Sequence, residues 1–123
     1  MKIAVIGAGK MGRWFIEELS KDNETAVYDI VEGKAGNIRN AKSLESFEDL
    51  REFGPDMLLN AVTLQNTVDA FESSMEFLPE GCVLVDVASI KGPLPQFYAG
   101  CGFRFVSMHP MFGPTFATMD SLR

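Results

Sequence analysis

Lys2-Ile3-Ala4-Val5-Ile6-Gly7-Ala8-Gly9-Lys10-Met11-Gly12 is the stretch that decides the fold. Its first half is a short, β-branched, almost wholly apolar run. Such a run suits a strand of a parallel sheet, which is covered on both faces and so needs no polar alternation. The glycines from Gly7 to Gly12 break the run. Beyond them Met11, Trp14, Phe15 and Leu19 recur at helical spacing, with Arg13, Glu17 and Glu18 on the other faces. Strand, glycine turn and helix therefore follow one another within about twenty residues.

Working outward, the same alternation repeats. Glu24–Tyr28 reads as a second strand ending at Asp29, and the stretch from Ile30 to about Ser46, with Gly33, Gly36, Asn37 and Asn40, reads as irregular. Ser46 is placed to cap a short helix running to Phe53, stopped by Gly54-Pro55. Met57–Val62 is a third strand, and Val68, Phe71, Met75 and Leu78 mark an amphipathic helix ended by Pro79-Glu80-Gly81. Cys82–Val87 is a buried strand, Pro93–Tyr98 a short helix and Phe103–Met108 a last strand. Strands alternating with helices imply a parallel sheet with helices on both faces, the doubly wound α/β architecture of Rossmann type. Residues 1–123 form one such domain. Because nothing in 115–123 resembles a domain end, the sequence is expected to be a partial gene product, incomplete at its C-terminus.

With 46% hydrophobic and 23% charged residues the chain has an ordinary globular balance. A formal net charge of -6 disfavours nucleic-acid binding, which needs a basic surface to neutralise phosphates. Cys82 and Cys101 form no CxxC pair, and with a single His no metal site is expected; both thiols read as reduced and partly buried in a cytoplasmic protein. No apolar run reaches membrane-spanning length, so no membrane partner is expected.

Gly7-Ala8-Gly9-Lys10-Met11-Gly12 fits G-x-G-x-x-G, a weak pattern alone but here set between a strand and a helix. Gly7 allows the tight turn, Gly9 lets a pyrophosphate approach the backbone, and Gly12 lets the helix pack against the strand. The helix N-terminus then directs N–H groups and the positive end of its dipole at the phosphates. Asp29 lies 22 residues after Gly7, at the end of the second strand. A carboxylate there accepts hydrogen bonds from both ribose hydroxyls of NAD and repels the 2′-phosphate of NADP. Only Lys34 stands nearby as a cation that argues the other way. Together these residues favour NAD over NADP.

Ligands of such sheets lie beyond the carboxyl ends of the strands. Thr63, the Ala88-Ser89-Ile90-Lys91-Gly92 loop and His109 all arrive at that edge. Thr63 either ends its strand or touches the cofactor through its backbone. Ser89 either caps the helix beginning near Pro93 or brings a hydroxyl near the nicotinamide. Lys91 either brings an amine near the nicotinamide or, the preferred reading, is a solvated side chain. His109 is either a plain loop residue or the acid–base group that takes a proton from a carbinol.

The glycine loop, Asp86-Val87-Ala88-Ser89-Ile90-Lys91-Gly92 and His109-Pro110-Met111-Phe112-Gly113-Pro114 together resemble the prephenate dehydrogenase family, including its arogenate-using members. The resemblance covers essentially the whole chain, and its second and third segments are the specific ones. It implies NAD-dependent oxidative decarboxylation of prephenate to 4-hydroxyphenylpyruvate in tyrosine synthesis. His109 matches the family's catalytic histidine, which hydrogen-bonds the ring hydroxyl, and Ser89 the serine that helps hold hydroxyl and cofactor. Thr63 departs from the proline that many relatives carry after the third strand. The family's helical dimerisation and substrate domain has no counterpart in these 123 residues, so the resemblance implies a homodimer only for a longer product, and no useful turnover by these residues alone. Gly9-Lys10-Met11-Gly12 also suits 3-hydroxyacid dehydrogenases and pyrroline-carboxylate reductase, which lack the His-Pro-Met-Phe-Gly-Pro segment. A non-catalytic nucleotide-binding module would carry Ser89 and His109 only by accident.

Overall fold

Lys2–Ile6 forms β1, and its position explains the rest of the architecture. In this computed structural model, which describes residues 1–31, 36, 38–63, 66–88 and 91–108, β1 pairs in parallel on both sides. One neighbour is β2, Glu24–Tyr28; the other is β4, Met57–Asn60. The short β3, Lys42–Ser43, lies outside β2, while β5, Val83–Asp86, and β6, Phe105–Ser107, extend the other side. Among the described residues the sheet has six parallel strands in the order β3-β2-β1-β4-β5-β6. That order reverses direction at β1 and β4, the switch point where doubly wound sheets open a ligand crevice.

Register aligns the strand ends. Ile6 stands opposite Tyr28 and Asn60, Asn60 opposite Asp86, and Asp86 opposite Ser107. One row thus crosses five strands, and the residues that follow it (Gly7, Asp29, Ala61, Val87 and Met108) leave the sheet at the same edge.

Alternate residues of β1 serve the two faces, as the period of two requires. Ile3 and Val5 pack with Trp14, Phe15 and Ile16 of α1, Lys10–Leu19. Ala4 and Ile6 pack with Leu50 and Phe53 of α2, Asp49–Phe53, with Phe71 of α3, Thr67–Met75, and with Leu94 and Tyr98 of α4, Leu94–Gly100. Phe15, Phe71 and Leu58 are essentially inaccessible; burying such a side chain contributes about 1.5–3 kcal/mol.

Three local expectations are corrected. The stretch after Ile30 is not wholly irregular, because Lys42 and Ser43 pair with Ala26 and Val27 as an edge strand too short to show periodicity. Ser46 does not cap α2 through its side chain. The Asp49 carboxylate instead accepts from the N–H groups of Glu45 and Ser46, and Glu48 is the capping residue. The helix after β4 ends at Met75, short of Leu78. Gly54 stops α2 as expected, at a left-handed φ of 63°. Among the described residues no helix is long and apolar enough to cross a membrane.

Candidate functional site

The turn from β1 into α1 is built on contacts that only glycine permits. Gly7 has φ +103°, and a Cβ there would lie 2.8 Å from the Ala61 carbonyl oxygen. Its N–H donates to the Tyr28 carbonyl at 2.8 Å, tying the loop to β2. A Cβ on Gly12 would lie 1.8 Å from the Gly7 carbonyl oxygen, so α1 sits directly against the turn. Gly9 differs: a Cβ there meets no protein atom within 4 Å. The space beside Gly9 is open, and it faces the crevice.

Gly9 caps α1 without a side-chain hydrogen bond, and no acidic residue stands in the first turn. The N–H groups of that turn have no partner within the helix, and the positive end of its dipole is not neutralised by an acid of the first turn. Lys10 is exposed and Met11 half-buried at the same turn. Arg13 turns its Nε back to donate to the Ala8 carbonyl at 2.9 Å.

Asp29 stands beside this loop. Its Oδ2 accepts from the Ala8 N–H at 2.7 Å and its Oδ1 from the Val31 N–H at 2.8 Å. Each carboxylate oxygen keeps a further lone pair, so two hydroxyls can still be accepted. Gly7, Gly9, Asp29, Val62 and Thr63 border a cleft of about 200 Å3. A smaller, mostly apolar hollow of about 110 Å3 adjoins it, against Ile30, Phe47, Val62 and Ala70. A wider groove of about 780 Å3 lies at the opposite, amino-terminal edge, against Met1, Lys2, Asp22 and Asp56. It is remote from the glycine loop and from the edge where such sheets bind ligands.

Thr63 is exposed at the rim of the cleft, and its hydroxyl accepts from the Asn66 amide at 3.0 Å. Its carbonyl accepts from the Thr67 hydroxyl at 3.1 Å. Asn60, buried at the end of β4, donates to the Thr67 carbonyl at 2.8 Å and accepts from the Val62 N–H at 3.3 Å. These bonds fix the β4–α3 connection that forms the far wall. Sequence reasoning passed over Asn60; a lone amide inside the apolar run Met57-Leu58-Leu59-Asn60-Ala61-Val62 was the available signal.

A second polar centre closes the β5 end. Asp86 is wholly buried, and its carboxylate accepts from Lys91 Nζ at 2.8 Å, the Ala88 N–H at 3.1 Å and the Tyr98 hydroxyl at 2.5 Å. Burial alone would raise its pKa, but the bonds from Lys91, Tyr98, Ser107 and Ala88 favour the ionised form and hold it below the usual carboxylate range. Burial and the Asp86 carboxylate push the Tyr98 phenol well above its ordinary range. Lys91 is correspondingly not the solvated cation expected from sequence: it pairs with Asp86 and also donates to the Met108 carbonyl. Ser89, His109 and Lys34 lie outside the described residues, as does Pro110–Pro114. Both cysteines are free; burial, with Asp56 nearby, pushes the Cys82 thiol up to about 12, which keeps it protonated and unreactive. Among the described residues no three His, Cys, Asp or Glu side chains gather to hold a metal.

Strand order, glycine turn, a helix N-terminus without a side-chain cap and a strand-end acid define a dinucleotide-binding domain of Rossmann type. The open space at Gly9 is a cradle that a side chain would fill, and it fits a pyrophosphate. The chain belongs to the family described as the NAD binding domain of 6-phosphogluconate dehydrogenase, whose model matches residues 2–96. A curated relative from Methanocaldococcus jannaschii, a probable arogenate/prephenate dehydrogenase, is 27% identical over 94% of this chain and 27% of its own length. Prephenate dehydrogenase from A. aeolicus, solved with hydroxyphenyl propionate and NAD+, superposes with a TM-score of 0.81 at 23% identity, over 90% of this chain and 42% of that one. An imine reductase from Myxococcus stipitatus, solved with NADP+, superposes at 0.77 with 20% identity, over 93% of this chain and 42% of that one. The chain therefore spans less than half the length of these proteins.

Proposed function

We propose that this chain is the cofactor-binding part of an NAD-dependent prephenate or arogenate dehydrogenase, acting in tyrosine synthesis. The observation that carries the reading is the pairing of two segments at adjacent strand ends. Asp86-x-x-Ser89-x-Lys91 follows β5 and His109-Pro110-Met111-Phe112-Gly113-Pro114 follows β6. The curated relative and the A. aeolicus enzyme, with prephenate or arogenate in their names, lend it support.

In this reading Gly7, Ala8, Gly9, Lys10, Met11 and Gly12 hold the pyrophosphate, Asp29 the ribose of the adenosine half, and the hollow between Ile30 and Val62 the adenine. Thr63 borders the path toward the nicotinamide. When bound, the cofactor supplies a hydride acceptor. Ser89 orients the ring hydroxyl of the substrate, and His109 accepts the hydroxyl proton as the carbinol carbon is oxidised. The substrate's carboxylate then leaves as carbon dioxide, and the electrons of the broken C–C bond complete the aromatic ring. A longer product would act as a cytoplasmic homodimer through a helical domain.

The test is turnover by the full-length gene product with prephenate and with arogenate, each offered NAD and NADP, followed as reduced cofactor. Turnover of either acid with NAD is the expected result. No turnover of either, with NAD binding intact, would sink the reading. A reductase acting on imines with NADPH is the second reading, motivated by the likeness to the Myxococcus stipitatus enzyme. Consumption of NADPH with a cyclic imine, and no action on prephenate, would establish it instead.

A further inference from the structure

Two chain segments that carry the proposed hydroxyl and imidazole are tied together at their bases by one buried ion pair. Asp86, at the end of β5, is inaccessible to solvent, and the Lys91 side chain is 17% exposed. Asp86 Oδ1 accepts from the Ala88 N–H and from Lys91 Nζ. The Lys91 ammonium also donates to the Met108 carbonyl, and the Met108 N–H donates to the Asp86 carbonyl at 3.0 Å. Tyr98 of α4 holds the other carboxylate oxygen. Ala88 and Met108 are the residues that precede Ser89 and His109 in the chain.

We propose that Asp86 and Lys91 are positioning residues: they fix Ala88 and Met108 to one another, and with them the points from which the chain runs on to Ser89 and His109. This rests on the dehydrogenase reading above. A buried ion pair is a poor device for stability alone, because a well-packed apolar pair of similar volume often does as well. What it offers is direction. An ammonium has three donors, and here two of them bridge the loop after β5 to the end of β6. β4 lies between β5, which carries Asp86, and β1, which leads into the glycine loop, so loss of the pair is expected to disturb the β5–β6 end and to spare the hold upon NAD.

The experiment uses the full-length gene product with Lys91→Met, Lys91→Arg and the neutral double variant Asp86→Asn/Lys91→Met. It measures kcat and KM for the accepted acid, NAD affinity, and amide hydrogen exchange at Ala88 and Met108. Misplacing reacting groups by about 1 Å costs about 10²-fold in rate, so Lys91→Met should lower kcat by about that factor. NAD affinity should stay unchanged and exchange at both amides should quicken. Lys91→Arg, which can still bridge a carboxylate and a carbonyl, should recover most of kcat. The double variant removes the cost of a lone buried charge; it should regain stability while kcat stays low. Wild-type kcat and unchanged exchange in Lys91→Met would overturn the proposal. So would recovery of kcat in the double variant together with its stability, since the pair would then serve stability alone. If the wild type oxidises neither prephenate nor arogenate, the dehydrogenase reading fails separately. Exchange then decides: quickening at both amides in Lys91→Met supports the tie, and unchanged exchange overturns it.

Discussion

The backbone N–H of Ala8 donates to Asp29 Oδ2 at 2.7 Å, so the acid that ends β2 also holds the glycine loop that ends β1. The two halves of the cofactor cradle are thus joined before any ligand arrives. Asp29 has a structural duty toward Ala8 and, in the proposed function, a binding duty toward a ribose, and substitutions can separate the two.

Asp29→Asn keeps an oxygen that can accept from Ala8 but removes the negative charge, whereas Asp29→Ala removes both. Hydrogen bonds to charged groups contribute about 1.5–3 kcal/mol. Asp29→Ala should therefore weaken NAD by about 10- to 100-fold, and Asp29→Asn by less. Both should narrow the gap to NADP, whose 2′-phosphate no longer meets a carboxylate. Calorimetric titration with each nucleotide measures this. Tighter binding of NADP than of NAD by the unsubstituted protein would contradict the assignment.

The three loop glycines should fail in different ways. Gly12→Ala places a Cβ 1.8 Å from the Gly7 carbonyl oxygen, and Gly7→Ala adds a contact at 2.8 Å to a backbone at φ +103°, so both should melt well below the wild type. Gly9→Val meets no protein atom within 4 Å at its Cβ. It should keep the melting temperature and lose NAD binding, because the side chain fills the space the pyrophosphate needs. Unchanged NAD affinity in a folded Gly9→Val protein would remove the loop from the binding site.

Five of the six strands were legible because each is a dense apolar run, long enough to read and followed by glycine, aspartate or a loop. β3 was not, since Lys42 and Ser43 are exposed and join the sheet through backbone pairing with β2, which leaves no apolar pattern to read. The glycine loop and Asp29 were legible because a turn from strand to helix that close fixes glycine at set spacing, and the strand-end acid follows at a set distance. The role of Lys91 was not: a lysine in a loop looks solvated until the fold shows a buried carboxylate five residues back and a carbonyl of the next strand within its reach. Asn60 escaped notice for the same reason, its partners being set by the β4–α3 connection and not by any motif.

Asp86 should make stability depend on acid pH. Its carboxyl is held below the usual range in the folded chain, against about 3.9 when unfolded. A depressed folded pKa contributes stability that is fully present above the unfolded value and is lost as pH falls through the folded one. Tyr98→Phe removes one donor to this carboxylate and should cost about 1–3 kcal/mol near neutrality. It should also lessen the further loss of stability below about pH 4, because less of the depression remains to be lost. Urea unfolding of both proteins across this range measures the difference. An unaltered pH dependence in Tyr98→Phe would show that its hydroxyl does not hold the Asp86 charge.

The proposed role of His109 makes the sharpest demand. As the carbinol carbon loses hydride, positive charge develops on a carbon that still bears O–H, so a base at that oxygen lowers the barrier. Such a base contributes about 10²–10⁴ in rate. Only the neutral form of an imidazole can accept the proton, so kcat of the full-length product should fall on the acid side as that form is lost. His109→Asn keeps a hydrogen-bonding side chain but cannot act as the base. It should lower kcat by about 10²–10⁴, leave NAD affinity nearly intact and abolish the acidic limb. Ser89→Ala should cost less, because in the proposed function Ser89 holds the hydroxyl and another group takes its proton. Near-wild-type kcat in His109→Asn, with the acidic limb still present, would reduce His109 to a loop residue and leave the proton with another group.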